Sequence, residues 1–344
     1  MDRPTVSVVM PVYGVERYVA DAVRSVLAQT MSDFELVVVD DCTPDDSIHI
    51  VRGFDDPRIR VVRHGSNQGL AEARNTGVAN ARGHFVALLD SDDISPPQRL
   101  ETQLAAFERE PALIACGGAM QCIDSDGRPQ GKPHLAEPEP DRIGPTLLLR
   151  NCFFVSSMVF RHQALAELGY RTDFKMAEDF ELMVRASRLG RLRNLTDLLL
   201  HYRTHATSMT STKPQLMDEC RRRIAIDQLQ RFGIDPTTAE LDTHMRAAYP
   251  RAGVTREQVC AVFDWLKRLS LLNLDLQVHP AGKFDDVLAS SWFEVCTLAS
   301  GLGPWTLARY LREGLGGHGG VAPRRWLRFA VKSLLGAERP LPRR

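Results

Sequence analysis

The first 90 residues alternate between short apolar runs and stretches of helical periodicity, and this alternation constrains the fold more than any other feature. Four runs are apolar and rich in β-branched residues, as in strands buried on both faces: Val6–Met10, Glu35–Val39, Ile59–Val62 and Phe85–Leu89. The segments between them place apolar residues at helical spacing. Strand–helix repetition of this kind predicts an α/β fold with right-handed crossovers and a mostly parallel central sheet.

The rest of the chain changes from a mixed to a helical pattern. Three further strands are predicted, at Ile114–Met120, Phe153–Phe160 and Leu192–Tyr202. A surface loop is predicted at Lys132–Asp141, which is rich in Pro and Glu. Helical periodicity dominates from about residue 213 onward. We therefore predict a first domain over residues 1–212 and a mainly α-helical region over 213–344, in contact with the acceptor, a second copy or a membrane.

Composition argues against several classes of protein. The 43 basic and 43 acidic residues cancel, so the overall charge gives no reason to expect binding to nucleic acid. Seven cysteines form an odd number without a C-x-x-C pair, which favours free thiols and a cytoplasmic protein over a disulfide framework. We find no run of about 18 apolar residues that would predict a spanning helix. The expected location is the cytoplasm, with peripheral contact to the inner membrane face as an alternative.

The run Phe85–Leu89 leads directly into three carboxylates within four residues, Asp90, Asp92 and Asp93. A single Asp here would most simply cap the next helix. Three together repel one another and raise the pKa of at least one member unless a cation lies among them. Hard oxygen ligands suit Mg²⁺ or Mn²⁺, which is usually bound by one or two carboxylates together with phosphate oxygens. The cluster therefore predicts a divalent metal site.

Other polar residues follow the neighbouring strands. Tyr13 comes after the first strand, and Asp40 and Asp41 follow the second. Ligands of open α/β sheets bind outside the carboxyl ends of the strands. A Tyr ring can stack on a base, a carboxylate can accept the ring N–H of the base, and Arg74 can reach a phosphate. Each residue could also be an ordinary turn or wall residue, but their convergence on one edge favours a nucleotide site.

Residues 5–212 resemble the family-2 glycosyltransferases, whose members have the nucleotide-diphosphosugar-binding fold called GT-A. Six stretches carry the resemblance, in family order: Val6–Tyr13 (VSVVMPVY), Asp33–Asp41 (DFELVVVDD), Asn67–Gly77 (NQGLAEARNTG), Ala87–Asp93 (ALLDSDD), Ala177–Leu182 (AEDFEL) and Tyr202–Ser208 (YRTHATS). The resemblance implies the same fold and transfer of a sugar from a nucleotide donor.

The resemblance implies metal and catalytic roles for five residues. Asp92 matches the metal-binding Asp of the D-x-D motif, and Asp90 lies beside it to help bind ribose or metal. Asp179 matches the catalytic base, with Glu178 as its acidic neighbour. His205 matches a histidine that in some relatives approaches the metal or the diphosphate. From the residues alone, two acids at the start of a helix also suit the macrodipole; the family position favours the base.

A second group of residues is implied to bind the nucleotide sugar: Pro11, Tyr13, Asp40, Asp41, Arg74, Asp90 and Ser91. Pro11, Tyr13 and Asp41 match nucleoside-binding residues. Asp40 and Arg74 match neighbours of the base and of the diphosphate. The Q-x-x-R-W motif of processive synthases is missing, so we expect one sugar to be transferred per binding event.

The resulting prediction is an inverting, non-processive transferase that uses a UDP-sugar donor, Mn²⁺ or Mg²⁺, and a glycan or lipid-linked glycan acceptor, in bacterial surface polysaccharide synthesis. Two alternatives remain. A sugar-phosphate nucleotidyltransferase would require a Gly-rich phosphate loop after the first strand, which Pro11–Gly14 does not provide. A catalytically silent nucleotide-binding or scaffold module would not require both Asp92 and Asp179.

The segment 323–335 has the pattern of a basic amphipathic helix. Arg324, Arg328 and Lys332 recur every four residues beside Trp326 and Leu327. Such a helix can lie on an anionic inner leaflet. The alternative, which the pattern alone favours, is that the helix packs its apolar stripe on the rest of the domain and leaves the cations in water.

Overall fold

The computed structural model describes residues 3–205, 213–313, 315 and 322–336. The chain divides into two compact units. The first comprises residues 1–143 and 152–220, and the second comprises 144–151 and 221–344. The later division, at 220/221, lies close to the boundary predicted near residue 212. The sequence pattern did not indicate that 144–151 would join the second unit.

The first unit contains the sheet. Its strands are β1 (Val6–Val12), β2 (Phe34–Asp40), β3 (Ile59–Arg63), β4 (Phe85–Leu88), β5 (Leu113–Ile123), β6 (Pro129–His134), β7 (Val159–Arg161) and β8 (Arg191–Arg203). Its helices are α1 (Val19–Leu27), α2 (Ser47–Arg52), α3 (Leu70–Asn80), α4 (Arg99–Arg109), α6 (His162–Leu168) and α7 (Glu178–Leu189). Helix α5 (Pro140–Leu149) begins in the first unit and ends in the second.

The strand order is β3-β2-β1-β4-β7-β5-β6, and β8 pairs with β5. The pairs β1/β2, β1/β4, β2/β3 and β5/β8 are parallel, whereas β7 pairs antiparallel with β4 and β5, and β6 pairs antiparallel with β5. β1 and β2 are buried along their whole length, as their continuous apolar runs require. The predicted α/β fold with a mostly parallel central sheet is confirmed.

Two predicted elements differ from the structure. The strand predicted at Phe153–Phe160 is a 3₁₀ turn at Val155–Ser157 followed by the short β7. The segment Lys132–Asp141 is only partly a loop, because its start lies in β6 and its end begins α5. β6 is a sheet-edge strand with almost every residue exposed, where Pro and polar residues are tolerated and the apolar signal of a strand is lost.

Helix α3 packs closely on β1 because Gly77 has no side chain. A Cβ at this position would collide with Val9 Cγ1 and lie 3.3 Å from Val39 Cγ2. Both valines are fully buried in their strands. The close approach matters for the site, since α3 also carries Arg74.

Gly77→Ala is therefore expected to lower the free energy of unfolding by about 1–3 kcal/mol, the usual cost of overpacking a core. Urea unfolding followed by circular dichroism measures the change. Gly282→Ala is the matched control, since Gly282 is also helical but a Cβ there would enter open space, and the lost chain entropy should make it neutral or stabilising. Equal midpoints for Gly77→Ala and the wild type would contradict the close packing.

The second unit is helical. Its helices are α8 (Pro214–Arg231, which begins in the first unit), α9 (Thr238–Ala248), α10 (Arg256–Leu276), α11 (Ala281–Leu298), α12 (Pro304–Arg312) and α13 (Pro323–Leu335). Among the described residues, no helix combines the length and the apolar character that crossing a membrane requires.

A buried histidine attaches the segment 144–151 to this unit. His244 is fully buried, and its Nε2 lies 3.1 Å from the carbonyl oxygen of Leu148. Trp265 Nε1 donates to His244 Nδ1 over 3.2 Å. Burial lowers the pKa of His244 to about 4. The imidazole is therefore neutral, and its Nε2–H donates to the Leu148 carbonyl.

Candidate active site

The parallel strands bring the predicted acids to one edge of the sheet. Val12 and Asp40 are register partners in β1 and β2, and the Asp41 N–H donates to the Val12 carbonyl over 3.1 Å. β4 lies on the other side of β1, so Asp90 leaves the sheet at the same edge. Tyr13, which follows β1, is 51% exposed there. Convergence at the carboxyl ends of the strands is thus present in the structure.

Arg74 links two parts of this edge. It lies on α3, is 2% exposed, and donates from Nη2 to Asp90 Oδ1 and from Nη1 to Glu178 Oε1, each over 2.7 Å. Burial disfavours the guanidinium charge, but the two carboxylates outweigh it and raise the pKa of Arg74. The contact of Arg74 with a phosphate stays a prediction, and the structure shows its guanidinium bound to two carboxylates. Arg74 therefore places the D-x-D loop beside the acid pair of α7.

Tyr170 completes the surroundings of Arg74. The Arg74 guanidinium lies 5.4 Å from the centre of the Tyr170 ring. Asn75, the next residue of α3, accepts from the Tyr170 N–H over 2.7 Å and donates to its carbonyl over 2.9 Å. The Tyr170 hydroxyl is buried and has no hydrogen-bond partner within the described part of the chain. Helix α3 thus fixes both the guanidinium and the ring beside it.

The pair Glu178 and Asp179 begins α7, directly after Ala177, which has left-handed backbone angles (φ 55°, ψ 23°). A non-glycine residue in this region is under local strain, which recurs at functional sites. Burial raises the pKa of Asp179, Arg74 opposes the shift, and Asp90 adds to it. Burial likewise raises the pKa of Glu178, again opposed by Arg74. A carboxylate with a raised pKa is suited to accept a proton near neutral pH.

Asp92 and His205 form the second part of the edge. His205 Nε2 lies 2.9 Å from Asp92 Oδ2. The His205 ring packs against Tyr18 with centroids 4.9 Å apart, and Arg203 lies over the same Tyr18 ring at 5.0 Å. Arg203 Nε also donates to the Asp92 carbonyl over 2.8 Å. Strand β8 and the start of α1 thus hold the D-x-D loop and its histidine together.

His205 Nε2 and Asp92 Oδ2 lie within hydrogen-bonding distance of each other. A carboxylate oxygen is a ligand that Mg²⁺ and Mn²⁺ accept, so Asp92 could hold such an ion. Within the described ranges, no three His, Cys, Asp or Glu side chains group closely enough to hold a metal alone. The arrangement suits an ion that completes its coordination with phosphate oxygens, as Mg²⁺ and Mn²⁺ do.

The third acid of the cluster, Asp93, faces the interior. It is fully buried, and Oδ1 accepts from the Arg203 N–H over 2.9 Å. Oδ2 has no hydrogen-bond partner in the described residues. Burial, then Asp92 and Asp90, raise the pKa of Asp93 well above its usual range. Asp93 is therefore a buried structural acid beneath the loop, bonded to the backbone of β8.

Asp40 and Asp41 are also buried and are bound by the protein itself. Asp41 Oδ1 accepts from the Gln68 N–H over 2.8 Å and lies 2.7 Å from His64 Nδ1, while Oδ2 accepts from the Gly69 N–H over 2.9 Å. Asp40 accepts from the Thr43 N–H over 2.9 Å. These contacts order the loops after β2 and before α3.

Pro11 and Ser91 are buried within β1 and the D-x-D loop. Tyr13 is the most exposed of the residues predicted to bind the nucleotide. Sequence reasoning did not identify Tyr18, Asn75, Tyr170 and Arg203. Asn75 and Arg203 lie within the motifs quoted above, so proximity to motif residues was the available signal for these two.

Comparison with known proteins finds that this chain is similar to glycosyltransferases. The family model described as Glycosyl transferase family 2 matches residues 7–169. The putative glycosyltransferase EpsE of Bacillus subtilis is 30% identical over 58% of this chain and 73% of its own length. The glycosyltransferase EpsJ of the same organism is 34% identical over 63% of this chain and 66% of its own length. The succinoglycan biosynthesis protein ExoO of Rhizobium meliloti is 29% identical over 67% and 70%.

Among solved structures, residues 1–349 of TarS from S. aureus in complex with UDP-GlcNAc share the fold. The TM-score is 0.57 at 21% identity, covering 90% of this chain and 89% of TarS 1–349. The family match ends before Asp179, whereas the structural likeness extends over most of the chain.

Proposed function

The chain belongs to glycosyl transferase family 2 and is a glycosyltransferase with the GT-A fold, and on that premise we propose that it transfers a sugar from a UDP-sugar to a glycan or lipid-linked glycan with inversion at the anomeric carbon. We place it in the cytoplasm, in the synthesis of a bacterial surface polysaccharide. The name of ExoO, a succinoglycan biosynthesis protein, supports the polysaccharide setting, and the UDP-GlcNAc complex of TarS supports a UDP-sugar donor.

The observation that carries the proposal is the bridge made by Arg74. One buried guanidinium contacts Asp90 of the D-x-D loop and Glu178 of the acid pair, each at 2.7 Å. This bridge brings the residues suited to the diphosphate close to the residues suited to proton removal, which supports a single catalytic site over a nucleotide-binding module without catalysis.

Asp179 is proposed as the general base. The acceptor hydroxyl loses its proton to the Asp179 carboxylate while its oxygen attacks the anomeric carbon from the side opposite the diphosphate, and the bond to the leaving oxygen breaks. One displacement of this kind inverts the anomeric configuration. Burial raises the pKa of Asp179, so its carboxylate is a better proton acceptor than that of an exposed Asp. Glu178 holds Arg74 in place beside it.

Asp92 and His205, with Asp90 beside them, are the residues proposed to hold Mn²⁺ or Mg²⁺, which when bound supplies positive charge against the departing diphosphate. Tyr18 and Arg203 keep this pair in place through the His205 ring and the Asp92 carbonyl. The exposed ring of Tyr13 is proposed to stack on the uracil base.

A thermal-shift panel of nucleoside diphosphate sugars, with and without Mn²⁺, tests donor binding. We expect a UDP-sugar to raise Tm by about 5–10 °C at a concentration about 100-fold above Kd, because ligand bound only to the folded state stabilises it. Asp92→Asn should remove the Mn²⁺-dependent part of the shift. Failure of every nucleoside diphosphate in the panel would contradict the proposal. A shift without any transfer to acceptors would favour the silent nucleotide-binding module.

A further inference from the structure

We propose that α13 binds the surface of an anionic membrane through its solvent-facing side. The inner side of this helix is fixed to the second unit by Phe329, which is buried against Phe293 and Tyr310 with ring centroids 5.5 and 5.3 Å away. Ala330 and Ser333 are buried on the same side. The helix is thus part of the folded unit, and its outer side has a defined orientation.

The outer side carries an apolar stripe. Leu327, Val331, Leu334 and Leu335 are between 46% and 74% exposed. Their spacing of four, three and one places them on one face of the helix, next to one another. A single exposed leucine is ordinary, whereas several adjacent ones form an apolar surface that can take part in binding when its surroundings match the partner.

A basic stripe runs beside the apolar one. Arg328 and Lys332 each follow a residue of the apolar stripe by one position, which is a rotation of about 100° around the helix. Arg324 adds a cation at the start of the helix, Arg325 lies 5.6 Å from the centre of the Phe293 ring, and Pro323–Leu335 contains no Asp or Glu. Positive charges beside hydrocarbon match a leaflet of anionic lipids, where each basic residue near the surface adds to the attraction.

The apolar and basic stripes together favour a membrane over other binding partners. A second copy of the chain, docked through the same apolar stripe with the two helices antiparallel about a two-fold axis, would bring the basic stripes of both copies to the same side of the contact. A free anion would neutralise the charges but leave the apolar stripe in water. Membrane docking would bring the protein to a lipid-linked acceptor, and that consequence rests on the proposed function. The docking itself does not.

Co-sedimentation of the full chain with vesicles tests the proposal. We expect binding to vesicles of phosphatidylcholine mixed with phosphatidylglycerol, and little binding to phosphatidylcholine alone. Leu327→Gln/Leu334→Gln should weaken binding at least about tenfold by removing buried hydrocarbon contacts. Arg324→Gln/Arg328→Gln should weaken it at least about tenfold and reduce its sensitivity to salt.

Leu271→Gln/Leu274→Gln is the matched control. These two α10 leucines are 54% and 53% exposed, but Asp275 lies beside them in the sequence, and their replacement should leave vesicle binding unchanged. All four tryptophans of the chain lie in residues 265–326, so tryptophan fluorescence checks that each variant keeps the second unit folded.

Equal binding to both vesicle types, or equal binding by the α13 leucine variant and the wild type, overturns the proposal. Self-association lost in that variant without vesicle binding would instead assign the surface to a second copy. Nucleotide sugar is omitted, so failure here leaves the transfer proposal intact.

Discussion

Replacing Asp179 with asparagine is expected to lower kcat for sugar transfer by about 10³-fold while leaving the donor-induced thermal shift intact. Asparagine keeps the size of the side chain but cannot accept the acceptor's proton at neutral pH. Positioned general bases typically contribute 10²–10⁴-fold. Asp179 lies at the start of α7, and the residues that hold the proposed metal come from other elements, so donor binding should survive. Initial rates with a UDP-sugar and acceptor, beside thermal shifts, measure both quantities.

The pH dependence of the wild type should agree with this assignment. Burial raises the pKa of Asp179, and the base works only when deprotonated. Activity should therefore be lost as pH falls through that raised value, at a higher pH than the ordinary Asp value of about 4 allows. Asp173→Asn is the control, since Asp173 is an exposed partner of Arg171, and it should keep the wild-type rate. Loss of both transfer and thermal shift in Asp179→Asn would give Asp179 a structural role instead.

Local pattern was sufficient to predict the parallel half of the sheet. The apolar runs that became β1 and β2 are buried on both faces, and burial of that kind is visible in the residues themselves. β7 has only three residues, and its antiparallel pairing with β4 and β5 is a long-range choice that no short window contains. Strand β6 was not predicted, because an exposed edge strand does not need apolar residues.

In the site, likewise, the positions of the residues could be predicted from the sequence, whereas their side-chain contacts could not. The predicted topology was sufficient to place the acids at one edge of the sheet. It was not sufficient to predict the individual hydrogen bonds, because these depend on side chains that are distant in sequence. The Asp41 oxygens accept from Gln68 and Gly69 and contact His64, and these contacts were not predicted. Arg203 contributes through β8 to a loop 110 residues earlier, a pairing that the sequence does not reveal.

Arg74 is the residue whose side-chain contacts we expect to contribute most to the stability of the site. Its guanidinium is the shared partner of Asp90 and Glu178 and also lies over Tyr170. Removing one partner of a buried ion pair leaves an uncompensated charge, which usually costs more than the pair itself contributes. Both carboxylates would then have to be protonated or reach water.

Arg74→Met is therefore expected to lower the free energy of unfolding by about 3–5 kcal/mol, measured by urea denaturation. Arg128→Met is the control, because the Arg128–Asp126 pair is exposed and should contribute at most about 1 kcal/mol.

The same change removes the cation that holds down the pKa of Glu178 and Asp179. The acid limb of the pH–rate profile should consequently move to higher pH, beyond that of the wild type. Adding Glu178→Gln to Arg74→Met removes one stranded charge and should recover part of the lost stability, because the two side chains are in contact. An unchanged acid limb, together with strictly additive stability losses, would show that Arg74 packs in the core without acting electrostatically on the acid pair.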